Sequence, residues 1–236
     1  MARFQEPAPG RGGEGDPWEM VIRSVEGEPS PEGYESVRLL TSRGPVLCRH
    51  YPVPQARRGA VWVGGVGGGW DTPAHGLYPR LCQELTARRI ASLRVQFRHP
   101  TVLEESVLDV LAGVAYLEGL GVEAVALTGH SFGGAVVIQA AAASDVVRTV
   151  VTLATQSYGA AAVSELGSRC STLLLHGTAD TVLPAYCSEH VFALAQEPRR
   201  LILYDGAGHG LDEVAGEVHQ VVGAWVVEQL KRPRPA

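Results

Sequence analysis

The sequence predicts an α/β fold, a mostly parallel eight-stranded sheet flanked by helices, and three observations predict it. Apolar runs such as VVTLA (150–154) and TLLLH (172–176) are continuous rather than alternating, the pattern of strands covered on both faces. Segments of helical period fall between such runs, which makes a parallel, doubly wound sheet. The 236 residues suit one domain of this class.

Strands are predicted at Glu35–Thr41, Val46–Tyr51, Ala60–Gly64, Ala91–Gln96, Ala124–Thr128, Thr149–Ala154, Thr172–His176 and Arg200–Tyr204. Ser42-Arg43-Gly44-Pro45 reads as a hairpin turn joining the first two, so that pair is antiparallel. Helices are predicted at Leu77–Arg88, Thr101–Leu120, Phe132–Ala143, Pro184–Ala195 and Glu213–Leu230. The first carries Leu77, Leu81 and Leu85 on one face, and the second opens with Thr101-Val102-Leu103-Glu104, a capping box. The acidic residues Glu104, Glu105 and Asp109 read as a solvated helix start favoured by the dipole. Residues 1–32, rich in Pro, Gly and Glu, are expected to form a flexible arm, with a short apolar patch at Trp18–Ile22. The domain is expected over 33–231 and a frayed tail over 232–236.

Composition narrows the function. A net charge of −5 from 20 basic and 25 acidic residues gives no basic surface for nucleic acid. No apolar stretch is long enough to span a bilayer, and the N-terminus lacks the apolar core of a secretory signal, so a cytoplasmic location is expected. The eight histidines lack metal-ligand spacing, and the four cysteines lack CxxC spacing and read as free buried thiols. Neither metal nor cofactor is expected, and nothing in the sequence sets an oligomeric state.

The sharpest motif is Gly129-His130-Ser131-Phe132-Gly133, a G-x-S-x-G between a buried strand and a small-residue helix. Such a turn exposes the serine at a helix N-terminus, where backbone N–H groups and the dipole favour developing negative charge. Serine needs a base to act as a nucleophile. His130 is its sequence neighbour and reads as packing. His209, in the loop Gly206-Ala207-Gly208-His209-Gly210 after the last strand, opens onto the same sheet edge as Ser131. The acid that orients the base has three candidates. Asp180 follows the strand TLLLH and reaches the crevice from a separate loop, whereas Asp205 and Asp212 read as turn formers or helix caps. The loop Gly64-Gly65-Val66-Gly67-Gly68-Gly69-Trp70 is poor in side chains, so its N–H groups are candidates, beside that of Phe132, for an oxyanion hole. Val66 and Gly67 head those candidates, which extend to Trp70. No Gly-Lys-Ser/Thr follows, which argues against a phosphate-binding loop.

Together these residues resemble the α/β-hydrolase superfamily over about residues 35–230, with Ser131, Asp180 and His209 in that family's order. The compact size looks like the lidless, dienelactone-hydrolase-like and small-esterase branch. Dienelactone hydrolases proper use a cysteine nucleophile, whereas this chain has Ser131, and its GGVGGGW loop differs from the HGGG of many lipases. The resemblance implies cofactor-free hydrolysis of a small-molecule carboxylic ester or thioester through an acyl-enzyme. The segment between Ala154 and Thr172 is too short for a folded lid. Trp70, Tyr158 and Leu183 are candidates for the substrate pocket. The alternatives are a serine peptidase or amidase on the same triad, and a non-catalytic binding module that keeps the elbow.

Overall fold

The computed structural model describes residues 19–232. Residues 1–18 of the expected arm, with Trp18 of its apolar patch, and residues 233–236 of the expected tail lie outside the described residues. The expectation of a flexible arm over 1–32 is corrected at its far end: Ile22–Pro29 forms strand β1, antiparallel to β2 (Glu35–Thr41). The sheet therefore has nine strands rather than eight. The strand IRSVEGEP was illegible because it lies at the sheet edge and is mostly exposed. Backbone hydrogen bonds to one neighbour hold it, and only Ile22 and Val25 pack against the core. β3 (Gly44–Tyr51) returns from β2 through the predicted turn at Ser42–Arg43, where Thr41 Oγ1 donates to the Gly44 carbonyl (2.6 Å).

The remaining strands run parallel to one another: β4 (Arg58–Val63), β5 (Ile90–Gln96), β6 (Ala124–His130), β7 (Val147–Leu153), β8 (Ser171–Gly177) and β9 (Arg199–Tyr204). The sheet order is β1-β2-β3-β5-β4-β6-β7-β8-β9. The winding reverses at β4, with β5 on one side and β6 on the other. At such a reversal the loops leaving the strand ends part and open a crevice.

Five helices cover the sheet: α1 (Pro73–Thr86), α2 (Leu103–Gly119), α3 (Phe132–Ala142), α4 (Tyr186–Leu194) and α5 (Ala215–Gln229). Leu77 and Leu81 of α1 and Val218, Val222 and Val226 of α5 bury against Trp62, Leu173 and Leu175 on one face. On the other face α2, α3 and α4 enclose Val61, Leu93, Leu127 and Leu174. Every residue of β8 is buried, as its continuous apolar run predicts. In α1, Ala74, His75 and Gly76 have left-handed φ of 51°, 51° and 85°, so the regular helix starts at Leu77, where the leucine spacing places it. The capping box expected at Thr101 is corrected: α2 starts later, with Val102 at its N-cap and no side-chain cap. Between β7 and β8 lie only two short 3-10 helices, Ala161–Glu165 and Gly167–Arg169, with no cap domain. All four cysteines are free and buried. Among the described residues no helix is long and apolar enough to cross a membrane.

The acidic start of α2 is not simply solvated. Asp109 is wholly buried; its Oδ2 accepts the Arg98 N–H (2.8 Å) and its Oδ1 pairs with the Arg98 guanidinium. Burial pushes the Asp109 carboxyl up, and the Arg98 contacts pull against it. Arg98 also bonds Glu105, which pairs with Arg43, so this network ties β5 and α2 to the β2–β3 turn. Removing the cation strands a buried carboxylate. Arg98→Met is expected to lower unfolding free energy by about 3 kcal/mol in a urea titration, and an unchanged midpoint would contradict this account.

Candidate functional site

The candidate site is built from four loops at the carboxyl ends of β4, β6, β8 and β9. Ser131 sits between β6 and α3 with φ 56° and ψ −121°, a conformation that L residues with a side chain rarely adopt. The turn is clamped on both sides: the Ser131 N–H donates to the Leu153 carbonyl (2.8 Å) and its own carbonyl accepts from Gly134 (3.0 Å). The chain can fold this tightly only because Gly129 lacks a side chain, since a Cβ there would lie 2.1 Å from the Gly133 carbonyl oxygen. Ser131 is 6% exposed. Phe132 opens α3, where its N–H has no acceptor inside the helix. Its ring packs edge-on against Phe97 (5.8 Å between centroids) and so belongs to the core.

Asp180 lies in the loop after β8. Its Oδ1 accepts the N–H groups of Val182 (2.8 Å) and Leu183 (2.9 Å), and its Oδ2 accepts from His209 Nδ1 (2.6 Å). Burial opposes ionisation of this carboxyl, but these hydrogen bonds together outweigh it and hold the group below the usual carboxylate range. The His209 loop reaches β8 because Gly177 has no Cβ, which would lie 2.1 Å from the Ala207 carbonyl oxygen. The Ala179 N–H donates to that same carbonyl (3.0 Å). Among the described residues only Asp180 hydrogen-bonds the His209 ring. Asp205 instead accepts from the Thr178 hydroxyl (3.1 Å), and Asp212 from the His75 N–H (2.8 Å).

Ser131 and His209 face one open cleft of about 380 Å³, together with His130, Val182 and the loop Gly65-Val66-Gly67. No hydrogen bond joins the Ser131 hydroxyl to the His209 ring; catalytic contacts of this type often tighten only with substrate in place. The Gly65–Gly67 loop stands directly over the serine, since a Cβ on Gly65 would come 3.3 Å from Ser131 Cβ. Gly65 thus comes close to the serine, although it did not stand among the sequence candidates. A larger hollow of about 850 Å³ between α1 and α5, at Leu81, His219 and Gly223, contains none of these groups.

The three expected pocket residues lie outside the cleft. Trp70 stacks under the guanidinium of Arg49 (4.4 Å), and its carbonyl accepts from Arg94 Nη2 (2.5 Å), so cation–π contact draws it onto β3 and β5 and away from the serine. Tyr158 is 81% exposed in the segment after β7. Leu183 contributes its backbone to the Asp180 loop, while its neighbour Val182 lines the cleft. His130, read as packing, does more: its Nε2–H donates to the His209 carbonyl (3.0 Å), with the two rings 4.7 Å apart. Its place inside the elbow motif was the only sequence signal. Burial pushes His130 down to about 4, against the upward pull of its hydrogen bond to the His209 carbonyl. Among the described residues no group of side chains is arranged to hold a metal.

The sequence pattern of the dienelactone hydrolase family matches residues 72–222, more than half of the chain. No curated protein matches it significantly. Among solved structures, it is similar to a dienelactone hydrolase from Anabaena variabilis (17% identity, 84% of this chain and 98% of that one, TM-score 0.73). It is also similar to Est1E from Butyrivibrio proteoclasticus (16% identity, 80% and 96%, TM-score 0.68). A third is a cold-adapted esterase from an Arctic intertidal metagenomic library (11% identity, 87% and 98%, TM-score 0.70). At these identities the likeness is one of fold.

Two outcomes follow from the geometry. Gly129→Ala forces backbone apart inside the elbow and is expected to cost about 2–3 kcal/mol in chemical denaturation, with wild-type stability as the contrary result. His130 has a folded value below its unfolded value of about 6.5. The stability it contributes is therefore complete above that pH and is lost as pH falls towards 4. His130→Gln is expected to flatten the fall of Tm between pH 7 and 4.5; an unchanged slope would count against it.

Proposed function

Since this chain belongs to the dienelactone hydrolase family and is a hydrolase, we propose that it cleaves small carboxylic esters or thioesters, with Ser131 as nucleophile, His209 as base and Asp180 as the acid that orients the base. One observation carries this reading: the Asp180–His209 hydrogen bond (2.6 Å) opens onto the cleft that holds Ser131 on its strained turn. With Nδ1–H bound to Asp180, the Nε2 lone pair of His209 is left for the serine proton. In the first step Ser131 Oγ attacks the ester carbonyl as His209 takes the proton. The oxyanion lies between the N–H of Phe132 and an N–H of the Gly65–Gly67 loop, with Val66 and Gly67 as the favoured donors. His209 then protonates the leaving alcohol or thiol. In the second step water, deprotonated by His209, releases the acid and regenerates the serine.

The absence of a cap between β7 and β8 leaves the cleft open, which suits small or extended polar substrates. The cleft's charged lining is acidic, from Asp71 and Asp212.

Ser131→Ala is expected to abolish turnover of p-nitrophenyl acetate and labelling by a fluorophosphonate while the protein stays folded. Undiminished hydrolysis by that variant refutes the assignment. A wild type that neither reacts with the probe nor turns over ester is a binding module, and faster turnover of an aminoacyl anilide than of ester marks a peptidase. Asp180→Asn, which removes the charge opposite His209, is expected to lower kcat by about 10⁴-fold.

A further inference from the structure

Asp180 does not serve His209 alone. His176, at the end of β8, is wholly buried, and its Nε2 lies 3.1 Å from the same Asp180 Oδ2 that binds His209. The same nitrogen lies 2.9 Å from the Leu183 carbonyl oxygen. Both neighbours are acceptors only, so Nε2 carries the proton. Nδ1 then offers a lone pair and accepts the hydroxyl hydrogen of Ser188, a wholly buried residue in the first turn of α4, at 2.6 Å. The reversed tautomer would set a lone pair against two oxygens, whereas the Ser188 hydroxyl, able to donate or accept, pairs with Nδ1 in either form.

We infer that His176, with its ring held by Ser188 and its tautomer set by the two oxygens at Nε2, is a positioning residue for the proposed reaction: it fixes the orientation of Asp180 Oδ2 towards His209. A tie between β8 and α4 alone would need only the Ser188 contact. The Nε2 contacts go further, because they close a ring around the carboxylate. Two amides hold Oδ1, two imidazoles hold Oδ2, and the residue whose N–H binds Oδ1, Leu183, also supplies the second acceptor for His176. Rotation of the carboxylate about its Cβ–Cγ bond breaks all four bonds at once. Without His176, Oδ2 has His209 as its single partner, and the pair can swing together. A misplacement of about 1 Å in such a pair costs as much as 10²-fold in rate.

This inference rests on the proposed roles of Asp180 and His209, and the test separates the two. The variants are His176→Leu, which removes both polar contacts; His176→Gln, whose amide N–H reaches the place of Nε2–H; and Ser188→Ala. For each, kcat and KM on p-nitrophenyl acetate, the low-field proton resonance of His209 Nδ1–H and the melting temperature are measured. His176→Leu is expected to lower kcat about tenfold or more with KM unchanged, and to shift or broaden the resonance. His176→Gln is expected to restore most of the rate, and Ser188→Ala to fall between. A folded His176→Leu with wild-type kcat and resonance overturns the inference. So does a Gln variant no better than Leu, with rates that follow melting temperature alone. If His176→Leu does not fold, Ser188→Ala decides: an unaltered rate and resonance there overturn it. A wild type without ester turnover, whose resonance still answers to His176, refutes the reaction and leaves the positioning role standing.

Discussion

A carboxylate shut away from solvent stays ionised only where donors replace its water, and Asp180 gathers four of them. That requirement organises the site end of the molecule. The loop after β8 must curl so that Val182 and Leu183 turn their N–H groups inward. The loop after β9 must come close enough for His209 to reach Oδ2, which it does over the bare backbone of Gly177. Helix α4 must dock where Ser188 meets His176. The loop after β8, the more distant loop after β9 and, through His176, helix α4 are thus held to one oxygen pair, and weakening any one of them loosens the rest.

The other half of the site is governed by sterics rather than charge. Ser131 is forced into a left-handed conformation by the junction of β6 and α3, and the approach of backbone to backbone at Gly129 makes that junction possible. The Gly65–Gly67 loop then closes over the serine from β4. Behind it Trp70, held by Arg49 and Arg94, anchors the loop to β3 and β5. The left-handed turn at Ala74–Gly76 is a second anchor: Ala74 donates to the Gly210 carbonyl (2.7 Å) and His75 to Asp212, which joins the start of α1 to the His209 loop. Side chains that composition alone nominates for a pocket can therefore act as buttresses for the loops that form it.

Legibility followed how each element is stabilised. β4 to β8 are buried on both faces, so burial had to be written into their residues as continuous apolar runs. β9, at the edge, is only partly buried, and the predicted spans of all six match the observed strands to within two residues at each end. β1 lives on backbone hydrogen bonds at an edge, and IRSVEGEP carries no such record. Asp109 looked like a surface acid because its partner, Arg98, comes from the preceding strand end, and no local pattern announces a long-range ion pair. Tyr158 and Trp70 illustrate the same gap in reverse: an aromatic residue near the site has no property that says which way it points.

From its residues alone this chain settles its class, the order of its parallel strands and helices along the chain, and the small set of side chains proposed for acyl transfer. Those features depend on local pattern, on residue chemistry and on order along the chain. Tertiary structure alone decided that Asp180 and not Asp205 or Asp212 meets the His209 ring, that His130 braces His209 and that His176 shares its carboxylate. The two contacts of His209 join segments that meet only after the sheet has wound, and the short reach from His176 to Asp180 depends on how the loop after β8 curls. A hydrogen bond depends on ångström-scale distance and direction that no spacing in sequence encodes.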